Sequence, residues 1–192
     1  MEESSLIRMA QAGDREAFHR LFEAHREKIF GLAFNYLKNT EDAEDVLQET
    51  FVRAYHHLDR FNLDESSSLS GWLSRIGINC CMDSFRKNRM KTQQIDDTEV
   101  MERTANPDRD NNPERSRELQ EVREKLAAIV DGFPPRQKMA FVLRHHQDLN
   151  VREIAANLGC SQGTVKKMLF RSFETIKKHM RKFLGEKSYE ML

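Results

Sequence analysis

Three sets of polar side chains in this 192-residue chain recur at helical spacing and could act together. Asp42, Asp45, Gln48, Glu49 and Arg53 follow one another so that a helix through them gathers a polar, largely acidic face. Arg75, Asn79, Met82 and Arg86 share a strip spanning about 60° on a helix, and Lys87, Arg89 and Lys91 extend its charge. Arginine and amide donors beside a basic run suit a nucleic-acid backbone and unstacked bases, although an ordinary amphipathic helix carries the same residue types. Further on, Lys167, Arg171, Lys178 and Lys182 fall within about 60° of arc, opposite a roughly 80° arc of Val165, Leu169, Phe173, Ile176, Met180 and Phe183. One side of that helix can bury itself while the other meets phosphates; a solvated basic face is the plainer reading.

The chain offers little for catalysis. His56-His57 and His145-His146 lack further ligands at helical spacing, although His145-His146-Gln147-Asp148 slightly resembles a hydrolase fragment. Cys80 and Cys81 are adjacent on a helix and cannot both face one site, so Cys80 is expected in the core and Cys81 as a partly exposed thiol. Cys160 makes no Cys-x-x-Cys pattern with them. No catalytic residue, metal or cofactor is expected.

The elements that must position these residues are helices. The composition is 39% apolar and 32% charged with only 8 Gly and 4 Pro, and no segment alternates with period 2. No apolar run approaches the roughly 20 residues of a membrane span, and Met1 to Ala12 lacks the apolar core of a signal peptide, so a cytoplasmic protein is expected. Asp14 can cap a helix over 15–37, and Thr40 can cap the next, with Glu41 and Asp42 in its first turn. The apolar stripe of that second helix is Ala43, Val46, Leu47, Phe51, Ala54, Tyr55 and Leu58. After a Ser-rich loop a helix is expected at about 70–88, burying Trp72, Leu73, Ile76 and Cys80.

Near the C-terminus, Asn150-Val151-Arg152-Glu153 has the pattern of a capping box, followed by Ile154, Ala155 and Leu158, then Gly159-Cys160, then Ser161 as a second cap. This helix, tight turn and helix resemble a DNA-binding helix-turn-helix, in which the first turns of the second helix reach base edges. Those turns hold Ser161, Gln162, Thr164 and Lys167, and Lys166, Arg171 and Lys178 add cations for the backbone.

The zero net charge hides polarity. Residues 1–90 hold 12 basic and 15 acidic side chains, 91–116 hold 4 and 7, and 117–192 hold 15 and 9. An acidic front half and a cationic last third suggest two surfaces for two partners. Thr92 to Arg115, with Asn106-Pro107 and Asn112-Pro113, has few large apolar residues and reads as a linker. The expected organisation is an all-α chain of two small helical domains, 1–90 and 117–192, joined by residues 91–116. A helix-turn-helix regulator with a sensory or dimerising first domain, and a helical metal-dependent hydrolase, are the rival readings.

The string from Asp42 to Tyr55 resembles region 2.2 of bacterial RNA polymerase sigma factors of the extracytoplasmic-function (ECF) type. The spacing of Trp72-Leu73, Arg75-Ile76, Asn79, Asp83 and Arg86 is similar to their regions 2.3–2.4. Phe133-Pro134 through Leu143, Leu149 to Leu158, Gly163-Thr164-Val165-Lys166 and Arg171 resemble regions 4.1–4.2. The chain departs from the family at Lys167, Met168 and Phe173, where small or basic residues are frequent, and at Gly77, often Ala. The resemblance implies a transcription initiation factor, not an enzyme, whose partners are core RNA polymerase (the β′ clamp helices and the β flap) and promoter DNA. Asp42, Asp45, Gln48, Glu49 and Arg53 would contact the clamp helices. Phe61, Trp72, Arg75, Asn79, Arg86 and Lys87 would open the −10 element and hold an extruded base, and the helix-turn-helix residues would read the −35 duplex. An anti-sigma protein that covers the polymerase-binding surfaces is implied as well, with neither a membrane contact nor a small-molecule substrate.

Overall fold

The computed structural model describes residues 2–63, 68–92 and 113–190, and among these every regular element is helical. In chain order they are α1 (Glu3–Gln11), α2 (Arg15–Leu37), α3 (Thr40–His57), a single 3-10 turn (Leu58–Arg60), α4 (Leu69–Thr92), α5 (Pro113–Asp131), α6 (Pro135–His145), α7 (Val151–Leu158) and α8 (Gln162–Glu190). The chain divides into two compact units, Met1–Met101 and Glu102–Leu192. The centre of the expected linker, 93–112, lies outside the described residues; its ends are helical, as the last turn of α4 and the first of α5.

In the first unit, local chemistry fixes the helix ends. Asp14 accepts from the Glu16 and Ala17 amides at 2.9 and 3.1 Å, satisfying two donors that the first turn of α2 leaves free. Lys38 adopts a left-handed conformation (φ 60°) that stops the helix, its N–H bonded to the Phe34 carbonyl at 2.8 Å. The cap of α3 is Asn39, not Thr40: Asn39 has the extended backbone of an N-cap, and its Oδ1 accepts from the Asp42 amide at 2.9 Å. Thr40 is already inside the helix.

Helices α1 to α4 enclose one core that includes Ile7, Leu21, Ile29, Leu47, Phe51, Leu58, Phe61 and Leu73. Tyr36 is buried completely; desolvation pushes its phenol well above the usual tyrosine range. Three further expectations are corrected in this unit. Tyr55 is 46% exposed, because it lies at the edge of the α3 stripe, where its ring packs edge to face with Phe18 of α2. The buried face of α4 includes Ser74, Gly77, Ile78 and Cys81, whereas Trp72 and Ile76 are only partly covered. Cys81 is therefore a core thiol and not a partly exposed one, pushed up to about 12 by burial and then by its neighbour Cys80.

In the second unit, α7 and α8 form the helix-turn-helix. Asn150 Oδ1 accepts from the Arg152 and Glu153 amides at 2.9 and 3.0 Å, and Glu153 Oε2 accepts from the Asn150 amide at 2.8 Å, so the capping box is complete. Gly159 ends α7 at φ 59°, where a side chain would be strained. Arg136 of α6 donates to the Leu158 carbonyl at 2.5 Å, tying the turn to the underlying helix. Val165, Leu169 and Ser172 are buried on α8, which packs against α6 and α7, where Met139, Val142, Leu143, Ile154 and Leu158 are buried as well. Phe173 departs from the expected apolar arc: it is 53% exposed, about 100° from Ser172, and its ring meets His145 in a T-shaped pair with 5.7 Å between centroids. Lys138 is nearly sealed in this core and pairs with Asp131 at 3.0 Å.

Candidate functional site

The first surface lies on α3, whose buried positions Ala43, Val46, Leu47, Thr50, Phe51 and Ala54 turn the opposite side outward. Asp45, Gln48 and Glu49 are exposed there, with Asp42 and Arg53 partly covered. Asp42 accepts from the Asn88 side-chain amide of α4 at 2.8 Å. Arg53 Nε donates to Glu49 at 2.6 Å, and that bond raises the guanidinium pKa further above its usual value. Asp83 of α4 lies 3.9 Å from Arg53 and 3.4 Å from Arg86, so one carboxylate sits between cations of two different sets. Between the two helices runs an open groove of about 550 Å³, lined by Asp42, Asp45, Gln48, Glu49, Arg53 and Asp83, among others.

Beside this acidic strip is an apolar patch that sequence reasoning missed. Val52 and Tyr55 are about half exposed, and with Phe18, Phe22 and Phe51 they line a shallow depression. The rings pack edge to face, Phe18 on Tyr55 at 4.9 Å and Phe22 on Phe51 at 4.7 Å. An exposed aromatic patch next to a charged rim has the anatomy of a protein-docking surface. Its sequence signal is the apolar pair Val52 and Tyr55, one turn apart on α3 beside the buried Phe51.

The second surface is on α4. Arg75, Asn79, Arg86 and Lys87 are exposed, and Trp72 is half-buried at the head of the strip. Phe61 is 7% exposed; its ring supports Trp72 from below, with the centroids 5.3 Å apart. Of the six residues expected at the −10 element, five side chains therefore reach solvent, and Phe61 lies buried against Trp72.

The third surface is the outer face of α7 and α8. Gln162, Lys166, Lys167, Arg171 and Lys178 are exposed. Ser161 is the N-cap, its Oγ accepting from the Thr164 amide at 3.1 Å and sharing a hydrogen bond with the Thr164 hydroxyl at 2.9 Å. Both hydroxyls thus hold the helix start as well as facing outward. Phe170, absent from the expected set, is 66% exposed between Lys167 and Arg171. An aromatic ring exposed amid cations presents an apolar contact beside positive charge.

Among the described residues no group of three or more His, Cys, Asp or Glu is placed to hold a metal ion, and no helix is long and apolar enough to cross a membrane. Cys80 is buried as well, its thiol pushed up mainly by desolvation.

Residues 21–90 match Sigma-70 region 2, and residues 123–176 match Sigma-70, region 4. The chain is 30% identical over 189 residues to the RNA polymerase sigma-H factor of Pseudomonas aeruginosa, covering 96% of this chain and 97% of that protein. It is 31% identical over 175 residues to the ECF RNA polymerase sigma-E factor of Escherichia coli K12, covering 89% and 90% of the two chains. Two solved structures share the fold. CnrH, in complex with the cytosolic domain of CnrY, aligns with a TM-score of 0.62 at 24% identity over 92% of this chain and 95% of that one. The sigma factor RpoE of Bartonella quintana, in complex with the anti-sigma factor NepR, aligns with a TM-score of 0.64 at 20% identity over 85% and 96%.

Proposed function

The chain belongs to the sigma-70 family as an ECF-type RNA polymerase sigma factor, and from that premise we propose a distinct task for each of its three surfaces. The α3 face docks on the clamp helices of core RNA polymerase: Asp45, Gln48 and Glu49 supply the charged rim, and Val52 and Tyr55 the apolar anchor. Asp42 and Arg53 flank that contact while tied to α4. The second unit also meets the β flap.

The α4 strip takes the −10 element. Arg75, Arg86 and Lys87 hold the backbone while Trp72 and Asn79 receive an unstacked base. Extruding a base costs a few kcal/mol, and stacking on an aromatic side chain with edge hydrogen bonds offsets it. The α7–α8 unit lies in the major groove of the −35 duplex. Gln162, Thr164 and Lys167 face base edges, Ser161 caps the helix whose free amides point at phosphate, and Lys166, Arg171 and Lys178 neutralise the backbone. The protein works in the cytoplasm by binding and positioning, without a reaction of its own. An anti-sigma partner covering the polymerase-docking surface is part of this reading, as the complex of the Bartonella quintana relative suggests.

The observation that carries the reading is the pairing of an acidic, aromatic-edged α3 with a basic-faced helix-turn-helix in the other unit. The deciding experiment is reconstitution with core polymerase and run-off transcription from promoters selected for this chain. Initiation that depends on both elements is expected. A protein that binds duplex DNA yet never supports initiation would refute the proposal.

A further inference from the structure

α1 precedes the part of the chain that matches Sigma-70 region 2, yet it is joined to the promoter-facing end of the unit by a specific contact. Ile7 and Ala10 bury α1 in the common core, and its last residue, Gln11, projects over the 3-10 turn. Gln11 Nε2 donates to the Leu58 carbonyl at 2.9 Å and to the Phe61 carbonyl at 2.8 Å. A primary amide has two N–H donors, so one side chain serves both carbonyls at once. These carbonyls bracket the turn, which closes through the Phe61 amide on the Leu58 carbonyl at 3.1 Å.

The second carbonyl belongs to the residue whose ring supports Trp72. On the other side of that pair, Gly71 N donates to Ser68 Oγ at 3.0 Å and Lys28 Nζ donates to Ser70 Oγ at 2.7 Å, so the start of α4 is held from its own side. The Phe61 side has the Gln11 clamp. A buried aromatic alone fixes position loosely along its ring plane, whereas a pair of directional bonds to the backbone sets where the ring stands.

We propose that Gln11 is a positioning residue for −10 recognition: by clamping the Leu58 and Phe61 carbonyls it sets Phe61 beneath Trp72 and so fixes the face offered to the extruded base. This rests on the assignment of the α4 strip to the −10 element. Gln11 itself touches no DNA.

The test uses the full chain with core polymerase. Gln11→Glu keeps the shape, removes both donors and puts a carboxylate against two carbonyls; Gln11→Lys keeps a donor of similar reach. Trp72 is the only tryptophan, so its emission reports the Phe61–Trp72 contact directly. In Gln11→Glu the emission shifts, affinity for core polymerase stays at the wild-type value, and affinity for a single-stranded −10 oligonucleotide falls about tenfold, the scale of one to two net hydrogen bonds. Preference among −10 bases relaxes in parallel, and Gln11→Lys restores both. Wild-type discrimination by Gln11→Glu overturns the inference and leaves the −10 assignment standing. So does an equal loss of core and −10 affinity, which would mark a merely structural residue. If the wild-type chain itself fails to discriminate −10 bases, the assignment of the strip fails first and this inference with it.

Discussion

Replacing Asp45 with Lys is the cleanest probe of the proposed polymerase face. Asp45 is exposed and makes no ion pair or side-chain hydrogen bond among the described residues, so its removal breaks nothing inside the unit. It sits beyond the first turn of α3, where the macrodipole preference for acids has largely faded. The stability cost should therefore stay within about 0.5 kcal/mol, as for surface substitutions away from special features. Glu49 is a poorer probe, because it holds Arg53 at 2.6 Å and a lysine there would also repel that guanidinium. For binding, the reversal replaces an attraction near an apolar anchor with a repulsion, a change of about 2–3 kcal/mol or roughly 30- to 150-fold in Kd. Competition for fluorescently labelled core polymerase measures that change, and a thermal melt of the free chain reports the fold. A wild-type Kd at moderate salt, with an unchanged melt, would remove α3 from the interface. A drop in melting temperature proportional to the lost affinity would instead show that the residue supports the fold.

Phe170→Ala should weaken −35 duplex binding several-fold with little effect on its salt dependence, whereas Lys167→Ala should lower the slope of log Kd against log salt by about 1; equal slopes would contradict the division between ring and cation. Gly77→Ala should stabilise the first unit by about 0.5–1 kcal/mol through helix propensity. The added Cβ would meet Ile29 and Thr50 at 3.6 Å, ordinary contact distances, and a lower melting temperature would show that α3 and α4 are closer than the packing allows. Cys81 is held protonated by burial, so the unfolded chain releases this proton before the native one does. Stability from this group is present below the ordinary cysteine range and declines as pH rises from about 9 towards about 12. An alkaline denaturation series comparing wild type with Cys81→Ala should show a steeper fall for wild type, and identical slopes would contradict the assigned burial.

What the sequence made legible was local. The Asp14 cap and the Asn150–Glu153 box are short-range devices, and both formed as their spacing implied. Asn39 and Thr40 are both competent caps one residue apart, and only the extended backbone at Asn39 decides between them. Apolar type placed most of the core but not the stripe edges, since Tyr55 and Phe173 depend on how far a neighbouring helix reaches. Polar type does not by itself mark a surface position. Thr50, Ser74 and Ser172 are buried because each hydroxyl donates to the carbonyl one turn earlier, at 2.6, 2.8 and 3.0 Å, and so enters the core already satisfied. The Gln11 clamp joins residues 47 and 50 positions apart, and no periodicity announces such a contact.

Those hydroxyl-bearing and small residues also explain how the two proposed partner faces share one scaffold. Where α3 meets α4 the facing positions are Thr50, Gly77 and Cys80, and a methyl group's width separates Gly77 from the Thr50 hydroxyl. Such small side chains let the helix backbones approach closely, and only then can Arg53 of α3 reach towards Asp83 of α4. The same carboxylate is engaged by Arg86, which belongs to the strip proposed for the −10 element. These pairs are half exposed and contribute little to stability, so the packing beneath must fix the spacing between the faces. On the proposed reading, a polymerase that seats α3 thereby orients α4 towards the −10 strand, because the two surfaces lie on adjacent sides of one rigid helix pair.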